Sequence, residues 1–336
     1  MVVVEKPVED DFSSQADPYR RELLAHCYRM LGSVHDAEDL VQETYLRAWR
    51  AYERFEGRSS LRTWLYRIAT SACLTALESR KRRPLPTGMS GPADDPGGEL
   101  VERSEVPWLE PVPDVLVGAD EDGDPATVAV SRESIRLAFI AALQHLPPRQ
   151  RAVLILRDVL KFRAAEVAEA LGVTTAAANS LLQRARAQLD DVAPREEQLT
   201  EPEVTEQREL LDQYMAAFEN YDVSALVDLF TKDAVWEMPP FLNWVRGAAN
   251  IGQLVRFNCP AQAAGDQMLV PAAANGQPAF GLYMRDSNGD YQAFHLQVLD
   301  VTPAGVSHVA AFFDPSLFRV FGLPETWPAG LRPPRR

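Results

Sequence analysis

Cysteine is scarce in this chain: Cys27, Cys73 and Cys259 are three in 336 residues, far apart and in no CxxC pair. That excludes a disulfide framework and a clustered thiolate metal site, and it fits reduced, mostly buried thiols. Apolar runs long enough to cross a bilayer are absent too. The start Met-Val-Val-Val-Glu-Lys is too short and too charged to serve as a secretory signal. The expectation is a cytoplasmic protein without a membrane partner. A surplus of positive charge is also missing, since the formal net charge is −14. Spread evenly, that charge would argue against nucleic acid as a partner.

It is not spread evenly. Residues 17–83 carry 13 basic and 9 acidic side chains, and residues 135–189 carry 8 and 3. The stretch 84–134 has 2 basic and 12 acidic groups, and residues 190–336 have 10 and 20. Two modestly basic modules are thus joined by an acidic linker and followed by an acidic domain.

The patterning predicts the same division. Residues 1–16 read as a flexible polar N-terminus, and 17–83 as a helical module punctuated by Gly32 and Gly57. Residues 84–130 are an acidic linker rich in proline and glycine, interrupted by Trp108-Leu109-Glu110-Pro111. A Trp-Leu pair in such a tract can bury apolar area at a docking site. Residues 131–190 are helical again, with Pro147-Pro148 as a break and Ser131 as the first cap. From Ala165 to Leu189, with Gly172 in the turn, the spacing has helix-turn-helix proportions. A connector (191–204) leads to an α+β domain over 205–325 and a tail, 326–336. That domain begins with helices around Leu210–Phe218 and Asp222–Phe230. Five antiparallel strands follow, with Asn288-Gly289 as a hairpin turn.

Within the first module, Leu40, Val41, Thr44, Tyr45, Ala48 and Tyr52 recur at helical spacing, so this face is expected to be buried. Asp36 reads as the N-cap. Acidic and polar residues near the helix start, where the dipole favours negative charge, form the opposite face. A second amphipathic segment, Leu61–Leu77, ends in Arg80-Lys81-Arg82-Arg83. The stretch DAEDLVQETYLRAWRAYERFEGRSSLRTWLYRIA closely resembles region 2 of sigma-70-type factors of the extracytoplasmic-function class. The 165–189 segment resembles their region 4. Residues 205–325 resemble a SnoaL-like cone, through Tyr221-Asp222-Val223-Ser224-Ala225-Leu226 and Ala234-Val235-Trp236-Glu237-Met238-Pro239-Pro240. A subgroup of the class combines that cone with a linker motif like Trp108-Leu109-Glu110-Pro111. The implied fold is multidomain: two all-α modules followed by an α+β cone.

The resemblance implies a factor that binds core RNA polymerase and promoter DNA, with its C-terminal domain regulating activity. Asp36, Glu38, Asp39, Gln42 and Glu43 fall where such factors dock the polymerase clamp. Arg58, Ser59, Ser60, Arg62, Arg67, Ser71 and Thr75 fall where the −10 element is captured, and the Arg80–Arg83 run would add phosphate contacts. Trp64 is assigned to the core. Thr175, Asn179, Ser180, Gln183, Arg184 and Arg186 are the exposed set for the −35 element. Asn179 and Leu181 stand where the family often has basic residues, so the −35 sequence does not transfer. Trp108 and Leu109 are candidates for linker docking, and Trp236, Trp244, His295 and Phe313 for the cone's pocket.

Two other classes compete. A SnoaL-like enzyme would need an acid–base pair drawn from Asp233, Asp290, Asp314, His295 and His308, and a lone strand histidine is more often structural. A ligand-sensing repressor would use the helix-turn-helix alone and leave 36–83 unexplained. Neither a catalytic residue, a metal site nor a cofactor is assigned. A small-molecule ligand or intramolecular docking of the C-terminal domain is the remaining candidate partner.

Overall fold

The computed structural model describes residues 8–79, 82–118, 132–190 and 203–331. They form two compact units, one built from 1–83 with 110–193 and the other from 84–109 with 194–336. The expected cap at Ser131 lies outside the described residues.

The first unit is helical. Helix α1 (Val8–Ala16) leads into α2 (Arg20–Leu31), whose residues Leu23 to Leu31 are all buried. Gly32 ends α2 in the left-handed region at φ 70°, where a β-carbon is disfavoured. Ser33 then caps α3 (Val34–Ala51) by accepting the Asp36 amide at 3.1 Å. The cap is therefore Ser33 rather than Asp36, which lies in the first turn. Val34, Ala37, Val41, Thr44 and Ala48 form the buried stripe, while Leu40, Tyr45 and Tyr52 are only half-buried. Helix α4 (Leu61–Glu78) is capped by Ser60 and packs on α2 and α3.

The second module adds short α5 (Asp114–Val117), α6 (Leu137–Leu143) and α7 (Pro148–Leu154), followed by a wider π-turn over Ile155–Val159. Helices α8 (Ala164–Leu171) and α9 (Thr175–Asp190) form the helix-turn-helix. Gly172 sits between them at φ 62°, and Thr174 accepts the Ala177 amide at the start of α9.

The second unit is a half-open cone. Helices α10 (Val204–Glu219) and α11 (Val223–Asp228) precede the sheet, and α12 (Ala248–Asn258) crosses its inner face. Gly252 allows that crossing, because a β-carbon there would come within 2.5 Å of Val227 Cγ2. The strands are β1 (Phe230–Glu237), β2 (Trp244–Arg246), β3 (Gln267–Ala274), β4 (Gln277–Arg285), β5 (Tyr291–Thr302), β6 (Gly305–Phe312) and β7 (Thr326–Trp327). Their order is β2-β1-β6-β5-β4-β3, with β7 on β5 and helix α13 (Ser316–Val320) between β6 and β7. The sheet is mixed, because β1 pairs parallel with β6. That departs from the all-antiparallel expectation. Joining the first and last long strands side by side is a long-range pairing that no local pattern encodes. Helix α12 and strand β2 were likewise not anticipated.

Residues 84–109 have more order than their composition suggests. They run as a strap along β2 and the β1–β2 loop. Ala93 N donates to Trp244 O at 2.8 Å, Leu242 N to Val101 O at 2.8 Å and Arg103 N to Pro240 O at 2.9 Å. Trp244 Nε1 donates to Ser90 O, and Val101 N to Asn243 Oδ1. An edge strand that would otherwise present open backbone groups is thereby covered.

Candidate nucleic-acid and polymerase interface, and the cone cavity

On α3 the exposed side presents Asp39 and Gln42, with Glu38 and Glu43 half-exposed beside them. Glu43 accepts Arg47 Nε at 2.6 Å one turn on. Asp36 lies apart from this patch, since its carboxylate takes Arg83 Nη2 at 2.6 Å with both side chains 16% exposed. The surface is not purely polar. Leu46 and Trp49, on the same side at helical spacing, are 48% and 44% exposed. Sequence reasoning missed both, although Leu46 and Trp49 lay just outside the apolar stripe it had defined.

The loop before α4 holds Arg58 fully in solvent beside Glu56, with Gly57 at φ 67°. The Ser60 hydroxyl is committed to the helix cap through Thr63 N at 3.1 Å. Ser59 is half-exposed, and Ser71 and Thr75 are exposed along α4. Trp64 is 7% exposed against Phe55, as a core residue. Arg62 is engaged within the chain. Its guanidinium binds Glu22 at 2.8 Å and lies 4.9 and 5.0 Å from the ring centroids of Tyr66 and Phe162. Arg67 meets Glu169 of α8 at 2.9 Å. Of the basic run, Arg82 donates to His145 and Arg83 is held by Asp36, while Arg80 and Lys81 lie outside the described residues.

The −35 set is exposed throughout: Thr175, Asn179, Ser180, Gln183, Arg184 and Arg186 all face solvent on α9, opposite buried Ala178, Leu182 and Ala185. Arg186 is nevertheless pinned, giving two hydrogen bonds to Asp158 at 2.8 and 2.6 Å.

Both modules are locked together inside their unit. Arg151 is 3% exposed and donates to Met30 O of α2, to Gln144 Oε1 at 2.8 Å and to Leu146 O at 3.1 Å. Burial lowers its pKa to about 10. Arg29 donates to Ser134 O and Oγ at 3.1 and 2.8 Å. Glu110 ties the linker to the first module, and the linker motif contributes here through its acid. Ser33 Oγ and His35 Nδ1 approach Glu110 Oε2 at 2.8 and 2.9 Å, and Tyr28 donates to its carbonyl. Burial would raise the Glu110 pKa. Hydrogen bonds from His35 and Ser33, with the charge of Arg83, outweigh it and hold the carboxyl below its ordinary value. Trp108 and Leu109 belong to the other unit, where the Trp108 indole donates to Arg103 O at 2.9 Å and Leu109 is fully buried.

The cone holds a partly open cavity of about 190 Å³. Trp236, His295 and Phe313 line it, with Gln267 and with Leu100 from the strap. Trp244 does not, because its ring serves as an anchor for the strap at Ser90. Gln297 accepts the Tyr214 hydroxyl at 2.9 Å and donates through Nε2 to His295 Nε2 at 2.8 Å. The His295 proton therefore sits on Nδ1, and burial drops the pKa to about 3, keeping the ring neutral. No carboxylate is among the cavity-lining residues. Asp233 and Asp314 are exposed, and Asp290 binds the Ala329 amide. His308 instead lies between Glu237 at 2.7 Å and Asp300 at 3.3 Å. Burial opposes its charge, but those two partners prevail and raise its pKa to about 10. The second Glu237 oxygen takes the Thr87 amide at 2.9 Å, pinning the start of the strap.

A helix-turn-helix, a helical module with an exposed acidic helix face and an appended cone define a DNA-engaging class. Residues 16–83 match Sigma-70 region 2, residues 136–189 match Sigma-70 region 4, and residues 206–271 match the nuclear transport factor 2 (NTF2) domain. The chain is 60% identical over 318 residues to the ECF RNA polymerase sigma factor SigG of Mycobacterium tuberculosis, spanning 94% of this chain and 85% of that one. To the ECF RNA polymerase sigma factor SigJ of the same organism it is 32% identical over 251 residues, or 73% and 71% of the two chains. The crystal structure of SigJ shares the fold at a TM-score of 0.55 and 24% identity, over 93% of this chain and 99% of that one. The chain belongs to the extracytoplasmic-function family of RNA polymerase sigma factors, which are transcription initiation factors rather than enzymes.

Proposed function

We propose that this sigma factor docks core RNA polymerase through the exposed side of α3 and reads promoter DNA through α4 and α9, from a closed state in which its two helical modules restrain each other. The carrying observation is the contact between Arg67 and Glu169, which places a carboxylate of the second module on a cation of the −10 face. Asp39, Gln42 and Glu43 supply charge complementarity, with Glu38 at the edge of the patch. Leu46 and Trp49 add an exposed apolar anchor of the kind that carries binding energy. Arg58, Ser59, Ser71 and Thr75 remain available to the −10 element, and Thr175, Asn179, Ser180, Gln183 and Arg184 to the −35 element. Ser60, Arg62 and Arg186 act as supports for those surfaces, given their internal partners.

The C-terminal unit regulates this activity through the strap, which it holds by backbone hydrogen bonds between the two modules in sequence. A cytoplasmic location follows from the work of the family. Among the described residues no helix is long and apolar enough to cross a membrane.

Run-off transcription with core polymerase tests the roles. Asp39→Lys with Trp49→Ala should lower polymerase affinity by about a hundredfold, since hot-spot residues contribute 2 kcal/mol or more. Arg184→Ala should leave polymerase binding intact and weaken promoter-specific initiation about tenfold, as expected for a base-edge contact worth roughly 1–3 kcal/mol. Normal transcription by both would refute the assignments.

A further inference from the structure

The cone cavity has a chemical character of its own. Its wall is apolar, and none of its lining residues is charged. Three polar atoms among those residues nonetheless have no hydrogen-bond partner: Trp236 Nε1, His295 Nδ1 and Gln267 Oε1. Their side chains are 3%, 5% and 2% exposed, so solvent does not satisfy them. Buried polar groups are almost always paired, and three exceptions around one cavity are unusual. Two are N–H donors, because the Gln297 bond fixes the His295 proton on Nδ1. Neighbouring Tyr214 and Gln297, by contrast, have partners: the Tyr214 hydroxyl donates to Gln297 Oε1 and Gln297 Nε2 donates to His295.

We propose that this cavity is a binding site for a small, neutral, largely apolar molecule carrying one carbonyl-type acceptor, which takes the Trp236 and His295 N–H groups. A charged ligand would lie among apolar side chains without a counter-charge, at a heavy desolvation penalty. A hydrocarbon would leave both donors unpaired. The size is limited as well. Drug-sized ligands occupy about 300–1,000 Å³, whereas an apolar cavity of about 150 Å³ holds benzene. The 190 Å³ here suits a compact ring with a carbonyl group. Leu100 lines the cavity from the strap, whose amides at Val101 and Arg103 bind Asn243 and Pro240. Occupancy therefore bears directly on the segment joining the two helical modules. The site goes beyond promoter recognition and involves no polymerase or DNA contact, so the two readings fail separately.

Calorimetric titration of the full chain with acetophenone, ethylbenzene and benzoate tests the site. Acetophenone should bind one to one and about tenfold more tightly than ethylbenzene, in keeping with the gain from pairing buried donors. Trp236→Phe should remove that preference, and Val255→Phe, which fills the cavity, should remove binding of both. Should Trp236→Phe not fold, Val255→Phe and the ligand series decide. Equal affinity for acetophenone and ethylbenzene, tightest binding of benzoate, no binding of acetophenone, or binding that survives Val255→Phe would each overturn the proposal. Bound acetophenone should also slow hydrogen exchange at the Val101 and Arg103 amides. Unchanged exchange at saturation would overturn the link to the strap.

Discussion

The surface cations of the helical unit and the cavity donors of the cone are satisfied in opposite ways. In the helical unit several cations expected on the DNA-facing surface have found carboxylates within the chain: Arg62 with Glu22, Arg67 with Glu169, Arg83 with Asp36, and Arg186 with Asp158. Around the cone's cavity the donors of Trp236 and His295 have no partner. An exposed cation such as Arg67 on a surface meant for phosphate can satisfy itself with a carboxylate and exchange it later, because both partners stay hydrated at small cost. A donor in an apolar wall has no such substitute. The contrast suggests that one unit is regulated by releasing contacts it already has and the other by gaining contacts it lacks.

The largest effect should come from breaking the lock at its buried centre. Arg151→Ala removes a guanidinium that spans α2 and the second module and leaves several carbonyl acceptors unmet. Loss of about 3–5 kcal/mol is expected, measured by urea denaturation. A loss below 1 kcal/mol would mean that the modules are not held there.

A comparable effect should follow in the cone from His308, with a distinct pH signature. Its pKa is raised from 6.5 to about 10, so its contribution is complete below pH 6.5 and disappears as the pH rises through about 10. His308→Gln should therefore destabilise the protein most below about pH 6.5 and flatten the stability profile between pH 6.5 and 10. Parallel profiles for wild type and variant would remove the ion pair from the account.

The smallest stability change should come from Glu169→Ala, because the Arg67 pair is exposed at 43% and 59%. Such pairs contribute at most about 1 kcal/mol. Its functional effect should be larger in proportion: release of Arg67 should raise affinity for −10 DNA severalfold in a fluorescence-anisotropy titration. A variant that binds DNA no better would separate the pair from any restraint on the −10 face.

Much of the architecture was readable in the linear pattern. The buried stripe of α3, the helix-turn-helix around Gly172 and the exposed set on α9 follow from helical spacing, and spacing is a local property. The differences have one cause. Local spacing points to Asp36 as the cap, whereas Ser33 does that work, and it does not show that Arg62, Arg83 and Trp244 each have a partner within the chain. A cation on an amphipathic helix has the same local signature whether it meets phosphate or Glu22, forty residues away. Leu46 and Trp49 escaped notice because an exposed apolar residue differs from a buried one only through what packs on it.

The sequence alone determined the order of modules, their charge and the faces of their helices, since these depend on residue type and on periods of a few residues. Tertiary structure decided the rest. It set β1 beside β6, laid the acidic strap along β2 and made Glu110 a junction for Ser33, His35 and Arg83. It also gathered Trp236, Gln267 and His295 around one cavity. Each of these joins residues tens of positions apart, where pairing is settled by which groups must be buried together and not by any neighbour along the chain.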